Sequence, residues 1–378
     1  MKNTRKNWFN RHPVFATVCM IVLIYALLDS IAGAVFIPEN LHKFRTKHSY
    51  YHHGLLPNSG GITNWGQIYY YFHTNSLGFR DICKKDISLA SGKRRILFLG
   101  DSHTEGVGVN YENTFAGRLQ KMTDTGRVEI LNGAAVSYSP KIHYLKCRYL
   151  IEEKGLDFDE LYVFIDISDL NNEIAYETFE PKDNGGISDG LYHTYAFLKD
   201  HSLTCFVVHK LKENGRTRKL RNAMKEAGNA DLELYTTFFS HFRNEDLLTD
   251  PDFHGVSRWL EDKRFRPWAE KGLTLGQENI LKLSRLCKNY GIELTIAVHP
   301  WPDQVLSMKA ENEYVRSWQS FAESNDIEFI NLFPLFINSR NAMDVAARYY
   351  IRHDNHWNAL GHEVVAKKLL AYINKDPE

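Results

Sequence analysis

Two short polar segments of the chain carry side chains that together suit nucleophilic catalysis. The first contains Ser102, in the sequence Gly-Asp-Ser-His-Thr-Glu-Gly of residues 100–106, and the second contains Asp354 and His356. A serine hydroxyl is a weak nucleophile and needs a general base within hydrogen-bonding reach. That base needs an acceptor that fixes its tautomer, and a carboxylate two residues away in a loop is close enough to serve. The residues therefore predict a Ser102–His356–Asp354 triad.

Each of these residues also has a simpler interpretation. Ser102 falls where a strand is predicted to turn into a helix, so its hydroxyl could cap that helix. His353, Asp354 and His356 could bind a metal, but the sequence groups no further His or carboxylate residues to complete such a site. The five cysteines show no CxxC or CxH spacing. We therefore expect no metal site and no organic cofactor.

The elements that must position these residues begin at residue 93. KRRILFLG (93–100), VEILN (128–132) and LYVFIDI (161–167) predict buried strands, and helical spacing separates them. Alternating strands and helices are typical of a parallel sheet with crossover helices. In such a sheet ligands bind outside the carboxyl ends of the strands. Ser102 follows the first strand, where a helix N-terminus stabilises negative charge.

The pattern lapses over residues 170–265 and then resumes. IELTIAVHP (292–300) and IEFINLF (327–333) predict two more strands, and residues 358–373 predict the final helix. We expect one α/β domain over residues 93–378, a three-layer doubly wound parallel sheet with a largely helical insertion at about 170–265.

The insertion contains a basic segment around Lys210–Lys225 with helical character. We interpret this segment as a solvated helix face. Contact with an anionic glycan or with lipid headgroups is the alternative.

Two segments, ILFLGDSHTEGVGV (96–109) and DNHWNALGHEVVA (354–366), together resemble the SGNH hydrolases, in particular their membrane-attached bacterial members. The segment TNSLGFRD (74–81) is also typical of such proteins. The resemblance covers about residues 93–169 and 290–372. It implies an SGNH/flavodoxin-like sheet and an enzyme that cleaves or transfers acyl esters.

The resemblance also assigns roles to single residues. Ser102 matches the nucleophile of the family, and His356, which precedes Trp357 and Asn358, matches its base. The commonest spacing in the family puts the acid three residues before the base, where this chain has His353. Asp354 instead fits the Asp-x-His variant of relatives that handle polysaccharide acetyl groups.

The resemblance further implies an oxyanion hole with two departures from the family pattern. Besides the backbone N–H of the nucleophile, the family uses a glycine N–H after the second strand and an asparagine side chain after the third. This chain has Ser137 and Ser168 at those positions, with Asn171 nearby as a possible substitute. A backbone N–H survives the first exchange if the local conformation does not demand glycine. We expect the donors to be Ser102, Ser137 and either Ser168 or Asn171, and we favour Ser168 because it directly follows the strand.

Three further side chains are predicted to bind substrate. His299 and Trp301 follow the fourth strand and so face the same rim of the sheet, and His103 is next to the nucleophile. Trp301 could stack on a sugar ring, although a turn packed on the core is an equal alternative. Asp101 is expected to hold the turn rather than to act as an acid.

The N-terminus carries a targeting signal. Residues 1–12 are basic, and residues 13–37 form an apolar run that is interrupted only by Asp29 and Ser30. A helix needs roughly 20 apolar residues to cross a bilayer, whereas a cleaved signal peptide has about 7–15. We expect an uncleaved transmembrane anchor, with cleavage after the Ala-Gly-Ala of residues 32–34 as the alternative. Lys43, Arg45 and Lys47 follow the span, but the four basic residues in front of it and the free amine favour a cytoplasmic N-terminus. We therefore expect the catalytic domain outside the cytoplasm.

Residues 38–92 separate this anchor from the domain and are rich in aromatic residues and histidine. They show turn signals and no long period, which predicts an ordered but irregular lead-in segment.

These features together predict a membrane-anchored serine esterase. Lys plus Arg equals Asp plus Glu at 46 each, so no global charge favours nucleic acid as a partner. The expected substrate is an O-acyl ester, specifically an O-acetyl ester, of a cell-envelope or extracellular glycan. The alternatives are an O-acetyltransferase that uses the same triad and a non-catalytic glycan-binding module on a decayed hydrolase fold.

Overall fold

The computed structural model describes residues 12–37, 41–181, 194–195, 197–226, 259–261, 263, 265–307, 309–337, 341–352 and 354–374. The chain divides into two compact units. One unit consists of Met1–Asn40 and Asn184–Asn222, and the other consists of Leu41–Asp183 and Ala223–Glu378.

The described residues include ten strands and twelve α-helices, besides a 3-10 helix Tyr111–Asn113 and a π-helix Tyr149–Glu153. The strands are β1 Arg45–His48, β2 His52–Leu55, β3 Gly60–Trp65, β4 Ile68–Thr74, β5 Arg80–Asp81, β6 Arg94–Leu99, β7 Val128–Asn132, β8 Glu160–Ile165, β9 Glu293–Val298 and β10 Glu328–Asn331. The helices are α1 Pro13–Phe36, α2 Ser102–Glu105, α3 Phe115–Met122, α4 Pro140–Arg148, α5 Asp169–Tyr176, α6 Leu203–Glu226, α7 Arg266–Tyr290, α8 Pro302–Ser307, α9 Glu313–Ser324, α10 Phe333–Phe336, α11 Ala342–Tyr349 and α12 Ala359–Ile373.

The first unit contains α1 and most of α6. Among the described residues, α1 is the one helix long and apolar enough to cross a membrane, and a signal sequence would form the same kind of helix. Its Asp29 accepts hydrogen bonds from the backbone N and the hydroxyl of Thr204, at 2.9 and 2.7 Å. This carboxylate therefore satisfies donors in the first turn of α6. The basic segment predicted to be helical lies in α6.

The second unit is built on an eight-stranded sheet with the order β10-β9-β8-β6-β7-β5-β4-β3. The five strands β10, β9, β8, β6 and β7 run parallel. The strands β5, β4 and β3 extend the sheet in antiparallel orientation. The doubly wound α/β order is thus present, but the sheet is mixed rather than wholly parallel as predicted.

Helices cover both faces of the parallel strands. Helix α3 packs with α12, whereas α4 and α5 pack with α7. Ile96 and Phe98 of β6 face the core that α3 and α12 share. Successive strand residues point to opposite faces, so Leu97 and Leu99, which are also fully buried, must be covered from the other side. This arrangement gives the three expected layers.

The lead-in segment is more regular than predicted. It contributes β3, β4 and β5 to the main sheet, and β1 pairs with β2 in a separate antiparallel hairpin. In β4, Tyr70 and Phe72 are buried, whereas Tyr69 and Tyr71 are exposed. Because the buried and the exposed positions are all aromatic, the sequence shows no alternation of apolar and polar residues. The strand was therefore not predicted.

The insertion is described only in part. It includes α5, which packs on α7 and so belongs to the sheet domain, and α6. Residues 182–193 and 227–258 lie outside the described residues, so the prediction of a largely helical insertion stays a prediction for them.

Candidate active site

Ser102 lies in the tight turn after β6, where the sheet order changes direction. Strand β6 is paired with β7 on one side and with β8 on the other, so its carboxyl end is the topological switch point of the sheet. A Cβ atom at Gly100 would lie 2.2 Å from Thr104 Oγ1, so glycine is needed for α2 to fold back on the strand. Asp101 caps α2, because its carboxylate accepts the backbone N–H of His103 at 2.9 Å.

Ser102, His356 and Asp354 are joined by hydrogen bonds. His356 Nε2 lies 2.7 Å from Ser102 Oγ, and His356 Nδ1 is hydrogen-bonded to Asp354 Oδ1. Asp354 Oδ1 also accepts the backbone N–H of His356 at 2.9 Å. An ionised carboxylate can only accept, so Nδ1 carries the ring proton and Nε2 accepts the Ser102 hydroxyl. The structure brings together the three residues that the sequence predicted to act together.

Trp65, at the end of β3, is a neighbour of the site that sequence reasoning missed. Its indole Nε1 donates to Asp354 Oδ2 at 2.9 Å, and its ring meets the His356 ring edge-on with centroids 4.9 Å apart. Burial alone raises the pKa of Asp354, but His356 and Trp65 outweigh it and lower the pKa to about 2. The carboxylate is therefore ionised at neutral pH. A single tryptophan before a turn glycine does not indicate, from the sequence, that its indole will donate to Asp354.

Asp101 is a second neighbour of the Ser102 hydroxyl. Its Oδ2 lies 3.1 Å from Ser102 Oγ, which is a longer contact than that with His356. Burial and then the charge of Asp166 raise the pKa of Asp101. The single hydroxyl proton is best placed toward His356, and Asp101 holds the turn as expected.

Two backbone N–H groups of the expected oxyanion hole have no competing acceptor. The N–H groups of Ser102 and Ser137 donate to no other atom of the described chain. Ser137 has φ 63°, in the left-handed region that favours glycine. Hydrogen bonds on both sides nonetheless fix the backbone here. Tyr176 Oη donates to the Ser137 carbonyl at 2.9 Å, and Val136 N donates to Glu105 at 2.9 Å.

The hydroxyl of Ser168 is already in use. It donates to Asp166 Oδ1 at 2.6 Å, and the Ser168 backbone N–H donates to the same oxygen at 2.7 Å. A hydroxyl has one proton to donate, so in this arrangement the Ser168 side chain has none left for an oxyanion. Asn171, the alternative, is half-buried on the first turn of α5, and its side-chain amide makes no hydrogen bond to the described chain.

The three residues predicted to bind substrate are buried. His103 and Trp301 are 1% exposed and His299 is 0% exposed. The Trp301 indole donates to Asp166 Oδ2 at 2.7 Å. Because none of these rings offers a free face to solvent, the prediction of direct sugar contact is corrected, and the alternative of a turn packed on the core describes Trp301.

His103 links three loops of the site. Its Nε2 donates to the Asn355 carbonyl at 2.9 Å, in the loop that carries His356. Its Nδ1 lies 3.3 Å from Asp166 Oδ2 and 3.6 Å from Asp101 Oδ1. Burial by itself lowers the pKa of His103, but the two carboxylates outweigh it and raise the pKa to about 10.

The alternative acid position, His353, lies outside the described residues. The contact between His356 and Asp354 is described, and it supplies the acceptor that the base requires. A spacing of Asp-x-His is thus compatible with a hydrogen-bonded pair in a loop.

No protein-family model and no curated protein matches the chain. Solved structures do match it. An acetylxylan esterase from Geobacillus stearothermophilus is 11% identical, with a TM-score of 0.38, over 77% of this chain and 98% of that protein. A second acetyl xylan esterase is 14% identical, with a TM-score of 0.40, over 74% and 99%. A GDSL-like lipase from Bacteroides thetaiotaomicron is 10% identical, with a TM-score of 0.36, over 76% and 93%.

Proposed function

We propose that the chain is a serine esterase that cleaves O-acyl esters, with Ser102 as nucleophile, His356 as base and Asp354 as the acid that orients the base. The observation that carries this proposal is the 2.7 Å contact between Ser102 Oγ and His356 Nε2, with Asp354 on the other ring nitrogen. This geometry lies at the carboxyl end of β6, where doubly wound sheets bind ligands.

The reaction proceeds in two steps. Ser102 Oγ attacks the acyl carbon while its proton passes to His356 Nε2, and the imidazolium is stabilised by Asp354. Collapse of the tetrahedral intermediate breaks the ester C–O bond, and His356 returns the proton to the leaving hydroxyl. Water then attacks the acyl-enzyme with His356 again as base, which releases the carboxylic acid and restores Ser102.

The developing oxyanion needs donors that do not have to reorganise. The N–H groups of Ser102 and Ser137 suit this role, because both are uncommitted. Asn171 is the proposed third donor, since its amide is uncommitted and follows the third parallel strand. Trp65 supports Asp354 by donating to the oxygen that His356 does not use.

The proposed substrate is an O-acetylated glycan of the cell envelope. The Asp-x-His spacing resembles that of enzymes for polysaccharide acetyl groups, and α1 is long and apolar enough to tether the chain to a membrane. Transfer of the acetyl group to a sugar hydroxyl uses the same acyl-enzyme and differs only in the second acceptor.

An activity assay on the detergent-solubilised full chain tests the proposal. We expect release of acetate from an aryl acetate and from acetylated oligosaccharides, together with covalent labelling of Ser102 by a fluorophosphonate. Ser102→Ala is the control. Growth of an acetylated acceptor at the expense of free acetate would identify a transferase. Glycan binding without turnover or labelling would establish the non-catalytic alternative and overturn the esterase proposal.

Membrane attachment has a separate test. We expect the full chain to stay with membranes in high salt and in alkaline carbonate and to be released by detergent. A mature N-terminus after Ala34 would instead identify a secreted protein. Protease accessibility in spheroplasts would report whether the domain lies outside the cytoplasm, as we propose from the basic residues 1–12.

A further inference from the structure

Behind Ser102, four buried side chains from three adjacent strands converge on one point. Asp101 and His103 follow β6, Asp166 follows β8, and His299 follows β9. One potential ligand atom of each lies within 4.8 Å of the others. We propose that this cluster, named the strand-end cluster, is a binding site for one divalent zinc-like cation.

Two distances within the strand-end cluster have the length expected between two ligands of one metal ion. His103 Nδ1 lies 3.3 Å from Asp166 Oδ2 and 3.6 Å from Asp101 Oδ1. Both distances exceed the range of about 2.7–3.2 Å for an N–H···O hydrogen bond. Metal–ligand bonds of about 2.0–2.2 Å in a tetrahedral site put neighbouring ligand atoms roughly 3.3–3.6 Å apart. These contacts therefore have the length of tetrahedron edges.

Two of the side chains carry buried ring nitrogens that are poorly satisfied by hydrogen bonds. His103 Nδ1 and both ring nitrogens of His299 are buried and make no hydrogen bond of normal geometry to the described chain. His103 and His299 are 1% and 0% exposed. Leaving a buried polar atom unsatisfied is destabilising. Coordination through these nitrogens would remove that cost.

The surroundings already hold the ligands in the way that metal sites require. His103 donates its other nitrogen, Nε2, to the Asn355 carbonyl at 2.9 Å, which leaves Nδ1 as the coordinating atom. Asp166 accepts from Trp301 Nε1 and from Ser168, and Asp101 accepts from the backbone of His103. Such outer hydrogen bonds fix the tautomer of a ligating imidazole and the orientation of a ligating carboxylate.

Charge balance and donor type indicate the kind of cation. Two carboxylates and two neutral imidazoles neutralise one divalent ion, so no net charge is left buried. Magnesium and calcium prefer oxygen ligands throughout, whereas mixed nitrogen and oxygen ligands suit zinc. A second proton on His103 Nδ1 is the competing occupant, because it too would neutralise one carboxylate. The site would tie together the loops after β6, β8 and β9, close to the nucleophile.

Metal analysis of the full chain tests this proposal without any substrate. The protein is purified in detergent with a tag that binds no metal, and zinc is measured by mass spectrometry after dialysis. We expect about one zinc per chain in the wild type and almost none in His299→Ala or in the nearly isosteric Asp166→Asn. His143→Ala is the matched control, since His143 is also fully buried with both ring nitrogens unpartnered but is outside the cluster.

Thermal unfolding provides the second readout. Wild-type protein produced in zinc-depleted medium should gain several degrees in Tm when zinc is added, and Asp166→Asn should gain none. A wild type that holds no stoichiometric zinc and shows no zinc-dependent Tm overturns the proposal and leaves a protonated His103 between the carboxylates. Equal zinc content in the wild type and both ligand variants also overturns it. Failure of the esterase proposal would leave these measurements unaffected.

Discussion

Two serines follow adjacent parallel strands at the same edge of the sheet, and their hydroxyls have different partners. Ser102 follows β6 and its Oγ lies 2.7 Å from His356 Nε2. Ser168 follows β8 and its hydroxyl donates to Asp166 Oδ1 at 2.6 Å. The first partner comes from a loop near the C-terminus, whereas the second lies two residues away in the same loop.

The difference shows that the partner, rather than the position after a strand, decides what a serine can do. Imidazole is basic enough near neutral pH to accept the hydroxyl proton during attack. The carboxylate beside Ser168 is not, because His103, His299 and the Ser168 hydroxyl outweigh the effect of burial and hold the pKa of Asp166 below its usual range. Ser168 is thus a structural donor, and Ser102 is the candidate nucleophile.

Substitution of the two serines should give the largest contrast. We expect Ser102→Ala to lower kcat on the order of 10⁶-fold, as removal of a triad nucleophile does. Ser168→Ala should keep kcat close to the wild type and lower the free energy of unfolding by about 1 kcal/mol through the lost hydrogen bond. Steady-state kinetics and urea denaturation would measure both. A Ser168→Ala variant with a large loss of kcat would contradict the distinction.

Substitution of Asp354, the acid of the triad, should give the second largest loss of kcat. Asp354→Asn should lower kcat by about 10⁴-fold, because an amide can favour the wrong His356 tautomer. Trp65→Phe keeps the aromatic ring but loses the hydrogen bond to Asp354, so its effect on kcat should be far smaller. Rates measured on an aryl acetate would compare the two. A Trp65→Phe loss as large as that of Asp354→Asn would show that the indole donor, and not the carboxylate charge, dominates.

The third oxyanion donor should give an intermediate effect. We expect Asn171→Ala to lower kcat by about 10²-fold with little change in KM, as loss of such a donor does. Asn172→Ala is the matched control, since it removes the same group one position along α5. If both variants keep the wild-type kcat, the two backbone N–H groups suffice and Asn171 has no role in the hole.

A third serine, Ser137, should give the smallest effect. Its left-handed φ of 63° costs roughly 1–2 kcal/mol for a residue with a Cβ atom. Ser137→Gly should therefore raise the free energy of unfolding by about 1 kcal/mol or less, after allowing for the greater chain entropy of glycine. Ser139→Gly should act in the opposite direction, because Ser139 is extended with φ −144° and donates to Glu173. Chemical denaturation of both variants would check the signs.

The local sequence pattern was sufficient to predict most of the parallel strands. The apolar run of β6, the glycine that follows it and the polar residues next to that glycine are neighbours in the chain, so their pattern indicates a strand that turns into a helix at Ser102. The strands of the lead-in segment were not predicted, because β4 is aromatic on both faces and shows no alternation. Since these are the antiparallel strands, the mixed character of the sheet was not predicted either.

The sequence by itself determined which residues had the right chemistry: Ser102, His356 and Asp354 are identifiable because their neighbours in the chain already limit where they lie in an α/β fold. Only the tertiary structure decided the rest. Trp65 meets Asp354 across 289 positions of the chain, Trp301 is buried against Asp166, and the Ser168 hydroxyl is taken by a carboxylate. Such contacts depend on how distant loops pack at one edge of the sheet, and packing is a property of the assembled layers that no local periodicity records.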